Sequence, residues 1–210
     1  MIRQDIRRVP GAAHYSLHYL RGGRIFSYAH QIETVISFEP NTVLEVGIGR
    51  GIVTAALRAA GLKVRTLDVQ LVLNPDIVAS VTDIPYEKEV FDVALCSQVL
   101  EHLPFDYFAP ALRELRRVVR QGLVLSLPDA SRHWHISAKL PKIPEFRLGV
   151  SLRRRIDMPK TRMEHYWEIG FVDHSLKRIN SEIEASGWRI TRTWRVPEFK
   201  WHRFFRLEAL

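Results

Sequence analysis

Between residues 42 and 127 short β-branched and apolar runs alternate with stretches patterned for helix, and this alternation constrains the fold more than any other feature of the chain. Residues 42–46, 64–69, 77–81, 91–96 and 123–127 read as strands. Residues 52–60, stopped by Gly61, and residues 108–119, with Leu112, Leu115, Val118 and Val119 at helical spacing, read as helices. Strands joined through helices lie parallel in one sheet, with helices on both faces. The expectation is an α/β fold.

The C-terminal part adds a different pattern. Residues 175–185 carry Leu176, Ile179 and Ile183 on one helical face and end before Gly187, a helix stop. Residues 188–196 and 203–207 then read as two strands joined through a turn at Pro197. At 210 residues the chain is expected to form a single domain, with residues 1–40 as a helical extension. Residues 131–171 contain Pro141, Pro144 and Pro159 and give no long element, and an irregular stretch of that length inside a compact domain is usually functional.

Charge is unevenly placed. The net charge is +8, and residues 131–210 hold 17 basic against 9 acidic groups, so the whole excess lies there together with all five tryptophans. No stretch approaches the roughly 18 apolar residues of a membrane helix, and the N-terminus lacks the apolar run of a secretory signal. The single cysteine, Cys96, excludes an internal disulfide and a multi-thiolate metal site. A cytoplasmic protein is expected.

The first strand-to-helix turn reads Glu45-Val46-Gly47-Ile48-Gly49-Arg50-Gly51. Glycines there permit a sharp turn and a close ligand approach. A nicotinamide-dinucleotide fingerprint would place its third glycine at Ile52, which weakens that reading. Asp68 follows Gly51 by 17 residues, at the end of the second strand, where a carboxylate can accept hydrogen bonds from ribose hydroxyls.

These segments, in this order, resemble the class I S-adenosylmethionine-dependent methyltransferases, especially their small-molecule-type group. The resemblance is best over residues 40–130 and implies a Rossmann-like seven-stranded sheet, parallel with a terminal antiparallel hairpin. It implies that Glu45, Gly47, Ile48, Gly49 and Gly51 hold the methionine end of the cofactor, Asp68 and Val69 the ribose, and Asp83 and Ile84 the adenine. Residues 91–103 (FDVALCSQVLEHL) look like the family's fourth-strand motif, which passes under the transferable methyl and brings Ser97 and Gln98 to the cofactor. Residues 131–171 fall where this family carries substrate-covering insertions. Their 9 basic and 4 acidic groups, with Arg153, Arg154 and Arg155 in a run, point to an anionic acceptor.

Methyl transfer from a sulfonium is an in-line displacement that needs proximity, orientation and exclusion of water, and no nucleophilic residue. A hydroxyl acceptor needs a base, for which His165, His133, His135 and His102 are the candidates. Some ubiquinone-pathway O-methyltransferases and small-RNA 2′-O-methyltransferases carry E-x-x-E-H after strand four and bind a divalent metal with it. Here Gln98 replaces the first carboxylate, removing a charge that a hard cation would want, and no metal is expected. Glu101 and His102 are then read as closing the turn, His14 and His18 as ordinary surface or packing residues, and Cys96 as a small buried one.

The function expected is transfer of a methyl group from S-adenosyl-L-methionine, giving S-adenosyl-L-homocysteine, to oxygen on a small-molecule or glycan-type acceptor. One alternative is an RNA methyltransferase whose C-terminal arginines bind phosphates and whose aromatic residues stack on bases. Another is a catalytically silent subunit, disfavoured because Asp68, Asp83 and the glycine turn are all present. The aromatic run from Trp194 to Phe205 is read as a terminal hairpin or a homodimer edge rather than a membrane-surface element.

Overall fold

The computed structural model describes residues 23–138, 146–152 and 165–210. Helix α1 (Arg24–Ile36) precedes strand β1 (Thr42–Val46), α2 (Ile52–Ala59), β2 (Lys63–Asp68), the two-residue β3 (Ile77–Val78) and β4 (Phe91–Ser97). Then come α3 (Phe108–Val118), β5 (Val119–Pro128), a hairpin of β6 (Arg132–Ala138) and β7 (Phe146–Leu152), α4 (Leu176–Ala185), β8 (Trp188–Val196) and β9 (Phe199–Ala209). Seven strands form one sheet in the order β3-β2-β1-β4-β5-β9-β8. Strands β3, β2, β1, β4 and β5 pair in parallel, and β9 runs antiparallel to both β5 and β8. This is the seven-stranded α/β sheet with a terminal hairpin that the sequence predicts.

The period of two in each strand divides the core into two layers. Leu44 and Val46 of β1, Ala94 and Cys96 of β4, and Leu123, Leu125 and Leu127 of β5 pack with α3 and α4. Val43, Val93, Leu95 and Val124 face the other way and pack with Val35 of α1 and Val53 and Leu57 of α2. Strands covered on both faces read as continuous apolar runs, which explains sequences such as LVLSL in β5. Burial pushes the Cys96 thiol up, and Glu101 pushes it further, in keeping with an inert packing residue.

Several of the C-terminal aromatic residues are core. Trp188 and Trp167 are fully buried and donate their indole N–H groups to Leu112 O and Leu103 O, each at 3.0 Å. Phe204 and Phe205 point to opposite layers because β9 is interior to the sheet, with β5 on one side and β8 on the other. Several of the basic groups are likewise occupied. Arg203 Nε lies 2.6 Å from Asp129 Oδ2, Arg195 pairs with the same carboxylate, and Arg189 and Arg206 pair with Glu208. Arg192, by contrast, is exposed and lies over the half-buried Trp194 ring, 4.6 Å from its centroid.

Several elements differ from expectation, among them β3, which spans only Ile77–Val78, and β9, which starts at Phe199. Within residues 131–171 the chain forms the β6–β7 hairpin, with His133 opposite Ser151 and His135 opposite Gly149. Its strands, such as RHWHISA, lack the clean apolar alternation that marks a strand against a core. Strand β5 also starts at Val119, four residues before the LVLSL run, because Arg120 there reaches Asp92 and Glu89 O at the strand's start. Asp92 Oδ2 also accepts from Asn41 N, Thr42 N and Thr42 Oγ1, each at 2.9 Å. Burial pushes the Asp92 carboxyl up, but the Arg120 guanidinium and these hydrogen bonds outweigh it and hold it down at about 2. His14, His18 and Arg153–Arg155 lie outside the described residues.

Candidate active site

At the carboxyl edge of a parallel sheet, the ligand crevice forms where strand order reverses, here between β1 and its neighbours β2 and β4. A cavity opens there, walled by Glu45–Arg50 of the turn after β1, Leu67–Gln70 after β2, Ser97–Val99 after β4, and residues of α1 and β9. Gly47, Gly49 and Gly51 all take positive φ, of 82°, 53° and 69°. At Gly47 this is obligatory twice over, because a Cβ would sit 2.4 Å from Val99 Cγ2.

Asp68 ends β2 with its carboxylate in the wall, 8% exposed, and its Oδ1 accepts from Gln70 N at 2.9 Å. Burial raises its pKa against the pull of backbone amides at Gln70, Ile48 and Val69. Those amides bring the turn after β1 and the end of β2 onto one carboxylate. Glu45 is buried, receives the Thr54 hydroxyl of α2, and lines the same cavity. Burial pushes its carboxyl up to about 7, against the Thr54 hydrogen bond and the Arg58 charge.

Ser97 and Gln98 occupy the third side. Their side chains reach Ser126 Oγ of β5, at 2.6 Å from Ser97 Oγ and 3.2 Å from Gln98 Nε2, and Gln98 holds a left-handed φ of 56°. The expected cofactor residues Glu45, Gly47, Ile48, Gly49, Asp68, Val69, Ser97 and Gln98 thus share one wall. Gly51 lies at the N-cap of α2 just beyond it. Asp83 and Ile84 depart from expectation: Asp83 is exposed, Ile84 is 2% exposed within the α3 layer, and neither lines the cavity, where Ala79 and Val81 stand instead. The turn joining Ser80 to Asp83 directs the Asp83 side chain to solvent.

Sequence reasoning also missed a side of the cavity. Ser27 and Gln31 are buried on α1, Arg24 and Tyr28 line the wall beside them, and His202 comes from β9. Ser27 Oγ and His202 Nδ1 are 2.7 Å apart, clasping helix to sheet. Burial, with Arg24 and His165 adding to it, holds the His202 imidazole down at about 3. The buried polar stripe Ser27, Gln31, Thr34 on an otherwise ordinary helix was the available signal.

Of the four histidine candidates, His102 lines the cavity and His165 stands beside it, their ring centroids 4.9 Å apart. The intervening 62 residues return because Tyr166 N donates to Glu101 O at 2.8 Å and Trp167 anchors on Leu103 O. His165 Nδ1 lies 2.8 Å from Glu168 Oε1, and Glu168 is fully buried. Glu101 is fully buried as well. His133 and His135 sit on β6 of the hairpin.

Residues 44–127 match the family described as a methyltransferase domain. No curated protein matches the chain. Among solved structures, magnesium protoporphyrin IX methyltransferase from Synechocystis PCC 6803 with bound SAM superposes with a TM-score of 0.65 at 15% identity, covering 99% of this chain and 95% of that one. Burkholderia thailandensis 1,6-didemethyltoxoflavin-N1-methyltransferase, bound to its substrate and S-adenosylhomocysteine, gives 0.62 at 16%, covering 94% and 86%. The glycopeptide N-methyltransferase MtfA with S-adenosylhomocysteine gives 0.60 at 13%, covering 88% and 90%. The matched segment is a methyltransferase domain, and the sheet order is that of the Rossmann-like methyltransferase fold.

Proposed function

We propose that this methyltransferase binds S-adenosyl-L-methionine in the cavity at the carboxyl ends of β1, β2 and β4 and methylates an oxygen of a small-molecule or glycan-type acceptor. The observation that carries the cofactor assignment is the convergence of Asp68 and the positive-φ glycine turn on one cavity. Asp68 would hold the ribose diol there, and the glycine turn, where no Cβ obstructs it, would hold the methionine end. Ser97, Gln98 and His102 line the same cavity and would border the methyl-donating end of the cofactor.

Bound cofactor, when present, supplies the electrophilic methyl. The protein supplies orientation and a dry site, which suffice for most of the acceleration of an in-line displacement. Activation of the acceptor falls to the group at the cavity's edge, His102 and His165 with the carboxylates behind them. The neighbouring enzymes, named for a toxoflavin precursor, a porphyrin and glycopeptides, support a small-molecule or glycan-type acceptor. The test is incubation with methyl-labelled S-adenosylmethionine and host extract, followed by fractionation. Label in small molecules or glycans, resistant to ribonuclease, is the expected result, and label lost on ribonuclease treatment would reject it.

A further inference from the structure

Gln31 is a polar residue for which neither the fold nor the cofactor assignment accounts. It sits on α1, 5% exposed, and lines the cavity. Among the described residues its amide makes no hydrogen bond, and it is not one of the sealed partnerless groups, which belong to Glu101, Asn180 and Trp194, so it opens into the cavity. Leaving a buried amide unpaired costs stability, the kind of cost that functional sites carry for the sake of a ligand.

Position along the sheet decides which ligand. Ser27, one turn before Gln31 on the same face of α1, meets His202 of β9, and His202 pairs across with Pro128 at the end of β5. Strands lie about 4.8 Å apart, so four intervals separate Asp68 on β2 from His202 on β9, roughly 19 Å, and the last two, roughly 10 Å, lie beyond β4. The cofactor residues Asp68, the glycine turn and Gln98 follow β2, β1 and β4. Helix α1 packs across β4, β5 and β9, so Gln31 and His202 wall the end of the cavity that the cofactor residues do not claim.

The chemistry of that end is uncharged hydrogen bonding. Gln31 offers both a donor and an acceptor. Ser27 takes Nδ1 of His202, which leaves Nε2 as the ring nitrogen for a ligand, and burial with the nearby Arg24 and His165 charges keeps the imidazole neutral. Arg24 borders the same wall with its guanidinium over the Phe199 ring, 5.0 Å from the centroid. A phosphate or carboxylate is best held by charge-assisted donors, whereas an amide and a neutral imidazole on either side of Ser27 suit hydroxyls, which both donate and accept.

We propose that Gln31 and His202 form the acceptor-reading end of the cavity and take an uncharged hydroxyl-bearing group, the hydroxyls of a sugar or polyol. This inference rests on the proposed function for what occupies the β2 and β1 end, and it deepens that reading by putting acceptor selection on α1 and β9, outside the matched residues 44–127.

Saturation-transfer difference NMR on the full chain, with and without S-adenosylhomocysteine, tests the subsite against an equimolar set of methyl glycosides of glucose, galactose, mannose and N-acetylglucosamine, with glucuronate as the anionic member. Saturation of at least one neutral glycoside is expected. Gln31→Leu, an apolar side chain of similar size, should weaken that signal about fivefold, while Tm stays the same or rises and S-adenosylhomocysteine affinity holds. His202→Asn keeps a partner for Ser27 at the Nδ1 position, removes Nε2, and should weaken the same signal. No neutral glycoside saturated by the wild-type chain, glucuronate alone saturated, or a signal unaltered in Gln31→Leu would overturn the subsite. A fall in Tm for Gln31→Leu would overturn it by making the amide a structural group, and a loss of S-adenosylhomocysteine affinity by giving the amide to the cofactor. A wild-type chain that takes the glycoside through Gln31 and binds no S-adenosylhomocysteine would uphold the subsite and reject the cofactor assignment instead.

Discussion

Asp129 stands where β5 hands the chain over to residues 131–171, and its carboxylate, 2% exposed as a residue, faces the Arg195 and Arg203 guanidinium groups. It also accepts from Ser131 N at 3.0 Å and Ser131 Oγ at 2.6 Å, while its backbone N–H donates to Trp201 O. Burial raises the Asp129 carboxyl, but the two arginines and Ser131 outweigh it and hold it below the usual carboxylate range. Asp129→Asn keeps the shape and the acceptor for Ser131, yet leaves two side chains, 6% and 10% exposed, as uncompensated cations. Breaking a buried pair costs about 3–5 kcal/mol, and in a chain of this size each kcal/mol moves Tm by roughly 2–4 °C, so a fall of about 6–20 °C is expected. Urea unfolding followed by tryptophan fluorescence reads the loss directly. A group held below its ordinary pKa stabilises above that value and loses the contribution as pH falls through the folded one, so the deficit should persist at pH 5–8 and close only in strong acid. Arg189→Gln, at the exposed pair with Glu208, serves as the control and should leave Tm unmoved. A loss under about 1 kcal/mol for Asp129→Asn would refute the reasoning, since it is the value of an exposed pair.

Three further outcomes follow from the same physics. Glu45 is pushed up to about 7, so the folded state holds its proton more tightly than the unfolded one, and stability should fall as pH rises from about 4.5 to 7. Glu45→Gln should remove a share of that slope worth about 3 kcal/mol, read as Tm against pH. Gly47→Ala forces a Cβ to 2.4 Å from Val99 at a positive φ, and should lower both Tm and S-adenosylhomocysteine affinity, the latter at least tenfold by calorimetry. Trp167→Phe removes the donor to Leu103 O inside the core and should cost about 1 kcal/mol, or roughly 2–4 °C in Tm.

The parallel sheet and half of the site were legible because their signals are local. A β-branched run ending in three glycines at alternate positions states both a strand's end and a backbone that must turn, and Asp68 ends the next strand at the same edge. The misplacement of Asp83 has a local cause too: a tight Ser80–Asp83 turn decides which side chain of VTDI faces inward, and spacing does not report it. His202 and the buried face of α1 were hidden because they meet the cavity only through the antiparallel insertion of β9, which places residue 202 against residue 27. The nearness of His165 to Glu101 and His102 was hidden because it lies 64 residues beyond Glu101, past a hairpin that periodicity did not reveal.

The central claim is that the cavity at Asp68 and the glycine turn is a methyl-donor site, and isothermal calorimetry with S-adenosylhomocysteine tests it most directly. One molecule should bind per chain. Asp68→Ala should weaken it about 10- to 100-fold, the loss expected for hydrogen bonds to a charged acceptor. Affinity unchanged in Asp68→Ala, or binding of NAD in place of S-adenosylhomocysteine, would contradict the account.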